Sequence, residues 1–290
     1  MKEFNTIGVC NPRKHYMVDI SNKLDQIEKL VERGRYFTIN RPRQYGKTTT
    51  MFLLKKRLCK KNYLVIRLSF ERIGDKIFND EELFSRRFIK YLIDRLEVKE
   101  KNKEAEILKN KINDICDLYT MSEAITEFVH QVEKPVVLLI DEVDKSSNNQ
   151  LFLSFLGFLR DKFLLREQDE DYTFHSVVLA GVYDVKNLKL KLRPDDERKY
   201  NSPWNIAVDF NVEMDFNPQE IATMLREYQQ AIGVEMDINN IAEKIYYYTS
   251  GYPYLVSKLC KIINKKILPK KEEKKWSEED VEKAVSYFIN

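Results

Sequence analysis

Three adjacent residues, Gly46, Lys47 and Thr48, carry the second half of the phosphate-loop pattern G-x-x-x-x-G-K-[ST]. In such a loop, consecutive backbone N–H groups point into one concavity at a helix N-terminus and hold an anion there. Gly46 lets the backbone approach a β-phosphate, Lys47 reaches the β/γ-phosphates, and the Thr48 hydroxyl is a ligand for Mg²⁺. Arg43, Gln44 and Tyr45 form the rest of the cradle, and Thr49 carries it into the following helix. The first glycine of the pattern is missing: five residues before Gly46 stands Arg41, followed by Pro42. Taken alone, the stretch also reads as a basic strand-to-helix turn that contains G-K-T.

A second stretch narrows the choice. "PVVLLIDEVDK" (135–145) is an apolar run that ends in Asp141 and Glu142. A phosphate-loop enzyme needs a second strand ending in an aspartate that orders Mg²⁺ and its waters. Asp141 is the expected metal-side carboxylate, and Glu142 is placed to polarise an attacking water. With G-K-T about one domain-width upstream, the two motifs together predict a site for ATP or ADP with Mg²⁺. Lys47 and Glu142 act in the chemistry there, and Thr48 and Asp141 serve the metal.

These residues need strands and helices to position them. Five β-rich runs stand out: "YFTIN" (36–40), "YLVIRLSF" (63–70), "PVVLLID" (135–141), "HSVVLAGV" (175–182) and "NIAVDF" (205–210). Several are apolar at consecutive positions, as strands buried on both faces of a parallel sheet are. Helical patterns lie between them. Residues 19–34 open at an Asp cap and close at a Gly, 80–98 have helical spacing, and 122–132 open with Ser122 as cap. The charged stretch 98–115 reads as an exposed helix or a mobile insertion. From about residue 211 only helices are expected, at 216–233, 238–250, 253–267 and 277–290. Asn217, Pro218 and Glu220 start the first of these. The pattern predicts an α/β core over 1–210, a parallel sheet sandwiched by helices, followed by a small all-α domain over 211–290.

Composition bounds the rest. The 290 residues are 43% hydrophobic and 33% charged, which suits a globular protein with a well-solvated surface. Lys and Arg total 49 against 46 Asp and Glu, a net charge of +3, so charge alone does not point to nucleic acid. The basic clusters at 55–61 and 265–275 read as solvated helix faces and ends. The four cysteines are scattered without a C-x-x-C, so neither a disulfide framework nor a zinc site is suggested. No apolar run approaches a membrane span, and the first residues lack the apolar stretch of a signal peptide. A cytoplasmic location and no membrane partner are expected.

"KHYMVD" (14–19), "YFTINRPRQYGKTTT" (36–50), "LLIDEVDK" (138–145), "AGVYDVKNLK" (180–189), "SPWNIA" (202–207) and "SGYPYLV" (250–256) together resemble the AAA-ATPase-like family of bacterial proteins. That family belongs to the AAA+/STAND-like branch of P-loop NTPases. The resemblance covers nearly the whole chain, with the motifs in order. It implies that the arginine-rich loop around Arg41-Pro42-Arg43 is a family trait, and it implies a sheet of order 5-1-4-3-2 with a helical lid. It places the N-terminal segment at the adenine, where His15, Tyr16 and Met17 flank the base; the alternative is a strap packed on the core. It places Pro253 near the adenine as the proline of a G-x-P lid motif; Gly251 as helix stop and Pro253 as helix start explain the corner equally well. Tyr183 or Asp184 would be the sensor, and Arg193 or Arg198 a trans-acting arginine. Trp204 reads as a core aromatic beside a proline turn. Many relatives carry a downstream nuclease domain, but no acidic-plus-lysine nuclease constellation is visible here, so that activity is not carried over.

The reading that results is an ATP-binding, Mg²⁺-dependent ATPase whose nucleotide state switches the helical lid. The alternative is a nucleotide-gated scaffold with little hydrolysis, coupling to DNA or a partner protein; either is compatible with an oligomer. Phosphoryl transfer to a small molecule lacks any acceptor-site signature.

Overall fold

The computed structural model of the chain describes residues 1–74, 76–143, 149–182 and 204–289. Tyr183, Asp184, Arg193 and Arg198, the candidates for sensor and trans-acting arginine, lie outside the described residues. The chain divides into two compact units. One comprises Met1–Gln26, Arg43–Phe52 and Val212–Asn290, and the other Ile27–Pro42 and Leu53–Asn211.

In the second unit the apolar runs pair into a parallel sheet. Strands β1 (Phe37–Asn40), β2 (Leu64–Ser69), β3 (Val136–Asp141) and β4 (Ser176–Gly181) lie in the order β1-β4-β3-β2. Asn40 aligns with Gly181 and Ser69 with Asp141. Every residue of β3 and β4 is buried, as consecutive apolar positions require when both faces of a strand are covered. Alternate side chains divide between the faces. Leu64, Ile66, Leu68, Leu138, Ile140 and Leu179 enter one core with apolar residues of α3 (Glu81–Glu97), α5 (Leu118–Gln131) and α6 (Gln150–Arg166), among them Phe88, Phe128 and Phe155. Val65, Val137, Leu139 and Val178, on the opposite phase, are buried as well. Helices α1 (Ser21–Glu32) and α2 (Lys47–Lys60) flank β1 in the chain, and Arg57 and Lys61 both pair with Glu28 at 3.0 Å.

The run 205–210 does not form a fifth strand. It makes a single parallel bridge, Phe37 to Val208, in which Val208 N–H donates to the Tyr36 carbonyl at 3.0 Å. Its place beside β1 is the one the order 5-1-4-3-2 assigns it. Side chains hold this segment where a ladder does not. Phe210 stacks on Phe37 with centroids 6.0 Å apart, and buried Trp204 donates its indole N–H to Thr38 Oγ1 at 3.0 Å. Trp204 is thus the core aromatic its context suggested. Trp204→Phe is expected to cost about 1–3 kcal/mol by removing a hydrogen bond inside the core. A lowered urea midpoint at unchanged slope would show it, and an unchanged midpoint would mean that the bond contributes nothing.

Two further expectations need correction. Helix α5 starts at Leu118, not after Ser122, because Asp117 and Thr120 form a reciprocal capping box one turn earlier. Ser122 lies inside the helix and accepts hydrogen bonds from the Lys162 ammonium. The stretch 98–115 is neither a mobile insertion nor a fully exposed helix. It forms α4 (Asn102–Lys109), whose fully buried Ala105 and Leu108 belong to the core that α3 and α5 share.

In the first unit the C-terminal chain is helical, as expected: α7 (Pro218–Ile232), α8 (Ile238–Thr249), α9 (Pro253–Ile262) and α10 (Glu278–Ile289). Asn217 caps α7 in a box with Glu220, and Pro218 occupies the first turn. Glu220 also accepts both contacts of Lys23 Nζ, at 2.7 and 2.8 Å. Phe4, Tyr16, Tyr228 and Trp276 form an aromatic cluster that fixes the N-terminal segment to these helices. Among the described residues no helix is long and apolar enough to cross a membrane.

Candidate functional site

Strands β1 and β3 run parallel, so Asn40 and Asp141 end at the same carboxyl edge of the sheet. That edge is where open α/β sheets hold their ligands. Arg41 N–H donates to the Gly181 carbonyl at 3.2 Å and extends the β1–β4 pairing by one residue before the chain turns.

The turn itself belongs to the first unit. Gln44 has φ 63° and Gly46 φ 75°, left-handed conformations that turn successive N–H groups toward one side. A side chain at Gly46 would meet no atom within 4 Å. Glycine is therefore required there by its φ and not by crowding, and the space beside it is open to a ligand. Lys47 opens α2 and is 8% exposed, Thr48 follows half-buried, and Thr50 N–H closes the first helical bond onto the Gly46 carbonyl at 2.8 Å. The arrangement presents a lysine, a hydroxyl and a helix N-terminus together, a set that attracts an anion.

Two contacts brace this turn. The Cys10 N–H donates to Thr49 Oγ1 at 3.0 Å, so the Thr49 hydroxyl is already engaged by the protein. The Tyr252 hydroxyl donates to the Arg43 carbonyl at 2.7 Å, and its ring lies 4.7 Å from that of Tyr45. Tyr252 stands in "SGYPYLV" and was assigned no role from sequence; a bond spanning 209 positions leaves no local signal. Its neighbour Pro253 is buried at the first position of α9. Helix α8 ends with Ser250 at φ 47°, and Gly251 follows at φ 75°.

Tyr16 is 3% exposed, with Phe4 at 5.1 Å and Tyr228 at 5.3 Å. Burial pushes its hydroxyl pKa up. Its ring faces are thus covered by protein, the arrangement of the N-terminal strap. The backbone of the same segment is knitted by Glu3 N–H to the Lys14 carbonyl at 3.0 Å and Tyr16 N–H to the Glu3 carbonyl at 3.1 Å.

The second unit holds the carboxylates. Asp141 is 2% exposed at the end of β3. Its Oδ1 accepts the Glu142 N–H at 3.1 Å and its Oδ2 accepts from the Arg67 guanidinium at 3.0 Å. Glu142 has φ 59°, uncommon for a residue with a side chain and a kind of strain that gathers at functional sites. Sequence reasoning missed Arg67, although it is the one charged residue of β2. Among the described residues no group of three or more His, Cys, Asp or Glu could hold a metal ion. A Mg²⁺ carried by phosphates needs none, since one carboxylate, a hydroxyl, phosphate oxygens and water complete its shell. Asp141 and Thr48 are oxygen donors of that hard type, and Asp141 already attracts a cation in the form of Arg67.

Residues 11–274 match the family model described as an AAA-like domain. No curated protein matches the chain. A Walker-type ATPase of Pyrococcus abyssi is similar over 99% of this chain and 75% of its own, with a TM-score of 0.63 at 11% identity. The ORC1 protein of Aeropyrum pernix, in complex with DNA, is similar over 96% of this chain and 68% of its own, with a TM-score of 0.54 at 12% identity. The ADP form of the ORC2 protein of Aeropyrum pernix covers 98% of this chain and 71% of its own, with a TM-score of 0.52 at 12% identity. At these identities the likeness is one of fold: a parallel sheet of the P-loop NTPase type with flanking and C-terminal helices.

Proposed function

Because the chain belongs to the AAA-like domain family, we propose that it binds ATP with Mg²⁺ and hydrolyses it, and that occupancy acts as a switch on the C-terminal helices. The observation that carries this reading is the turn after β1, where left-handed Gln44 and Gly46 lead straight into Lys47 and Thr48 at the start of α2. In this reading the N–H groups of residues 43–48 and the Lys47 ammonium hold the β- and γ-phosphates. Thr48 and Asp141 hold Mg²⁺, which neutralises charge on the phosphates when bound. Glu142 orients a water and takes up its proton. Tyr252 touches the loop and Pro253 follows it at the start of α9, so the bond from Tyr252 to the Arg43 carbonyl links the state of the loop to the α8–α9 corner. Two loop conformations with different contacts to that corner are what a switch needs.

Lys47→Ala tests the assignment. It removes a charge-assisted contact to phosphate, and ATP affinity is expected to fall by roughly 2–3 kcal/mol, on the order of 100-fold in Kd. Calorimetry in the presence of Mg²⁺ measures it, and unchanged affinity would exclude this loop as the nucleotide site.

The Tyr252 link also favours a second reading, a nucleotide-gated scaffold with little hydrolysis that couples to DNA or a partner protein. Steady-state phosphate release by the wild-type chain, with and without DNA, separates the two. Tight ATP binding without turnover under either condition selects the scaffold.

A further inference from the structure

Arg67 interrupts a strand that is otherwise apolar up to its final serine, and the register explains what it does there. It aligns with Leu139, two positions before the pair Ser69–Asp141, so Arg67 and Asp141 are diagonal neighbours on one face of the sheet. A long side chain reaches across that diagonal. The guanidinium meets Asp141 Oδ2 at 3.0 Å, while Oδ1 takes the Glu142 N–H. The Asp141 side chain is 3% exposed and fixed at the strand end, whereas that of Arg67 is 21% exposed. Of the pair, only Arg67 has solvent to move into.

We propose that Arg67 is the resident counter-cation of Asp141, and that it yields this carboxylate to Mg²⁺ when a metal–nucleotide complex binds. This one side chain then sets the metal affinity of the site. The inference rests on the ATP reading above and goes beyond it. A buried carboxylate left without a cation is strongly unfavourable, so some positive charge must stand beside Asp141 in every state. With the guanidinium in place a divalent ion is repelled, and it competes only when phosphate charge arrives with it. The surroundings act the same way. Lys55 on α2 has its pKa lowered by burial first and in smaller part by the charge of Arg67, so a second cation stands near the guanidinium. The site therefore takes up metal together with nucleotide, not ahead of it.

The test compares wild type, Arg67→Met, Arg67→Lys and Asp141→Asn for Mn²⁺ affinity in the presence of ADP, read by electron paramagnetic resonance. Calorimetry adds ATP affinity with Mg²⁺ and with EDTA. Arg67→Met is expected to raise Mn²⁺ affinity about tenfold, a coupling of ordinary size between two sites, without raising the metal-free ATP affinity. Arg67→Lys keeps the charge and stays near wild type. In the Asp141→Asn background the Arg67→Met change no longer matters. Should Arg67→Met fail to fold, Arg67→Gln carries the same expectation. Unchanged or weakened Mn²⁺ affinity in the neutral variants overturns the proposal, since Arg67 would then orient Asp141 and not compete for it. If wild type binds ATP more tightly with Mg²⁺ than with EDTA and the variants match it in both, this inference alone falls. If wild type binds no ATP in either condition, the ATP reading falls and takes the inference with it.

Discussion

Replacing Glu142 by glutamine is expected to lower ATP turnover by roughly 10²–10⁴-fold, the ordinary worth of a positioned general base. The substitution keeps the shape of the side chain and removes its capacity to accept a proton. One contact that helps place the residue is made by its backbone, N–H to Asp141 Oδ1 at 3.1 Å, and is untouched. The strained φ of 59° is a backbone property too, and glutamine tolerates it no better and no worse than glutamate. ATP binding therefore persists while phosphate release stops. Calorimetry and a phosphate assay on the same preparation show the split. Equal turnover by wild type and Glu142→Gln removes the proton-acceptor role and leaves the scaffold reading standing.

The elements around this residue were legible in the sequence where one local rule decided them. "PVVLLID" is short, β-branched and apolar at consecutive positions, as a strand covered on both faces is. Asn217, Pro218 and Glu220 start a helix by their own side-chain chemistry. Where two local signals competed, residue type alone did not rank them. Asp117 and Ser122 are both good caps, and the box with Thr120 settles on the earlier one. The run 205–210 has strand chemistry but is held by Trp204 and Phe210 packing, so one bridge suffices. In the candidate site, Lys47, Thr48, Asp141 and Glu142 could be picked out by residue type and spacing. Arg67 and Tyr252 could not be assigned, because their partners are fixed by strand register in one case and by a 209-residue closure in the other. A lone arginine in an apolar strand was the visible trace of the first. The Tyr252 bond left none.

That closure turns on Gly251, and Gly251→Ala is expected to be the most damaging single-methyl change in the first unit. Its φ is 75°, where a Cβ costs roughly 1–2 kcal/mol. A Cβ there would also lie 2.0 Å from the Phe216 carbonyl oxygen and 2.8 Å from the Phe216 nitrogen. Both are backbone atoms, so no rotamer change relieves the overlap, and a forced backbone shift adds roughly 1–3 kcal/mol. The shift stretches the bond from Phe216 N–H to the Gly251 carbonyl, now 2.8 Å, worth about another 1 kcal/mol. Phe216 immediately precedes Asn217, the cap of α7, and Tyr252 immediately follows Gly251, so the damage reaches the helix start and the contact to the Arg43 carbonyl together. Together these come to about 3–6 kcal/mol, a fall of roughly 10 °C in Tm for a chain of this size. Gly233→Ala is the control. Its φ is 70°, but a Cβ there meets nothing within 4 Å, so only the conformational cost of roughly 1–2 kcal/mol applies. Thermal and urea unfolding of the two variants separate backbone conformation from close approach. Equal losses would mean that the corner gives way to the methyl group, and that the approach of residue 251 to Phe216 does not hold it.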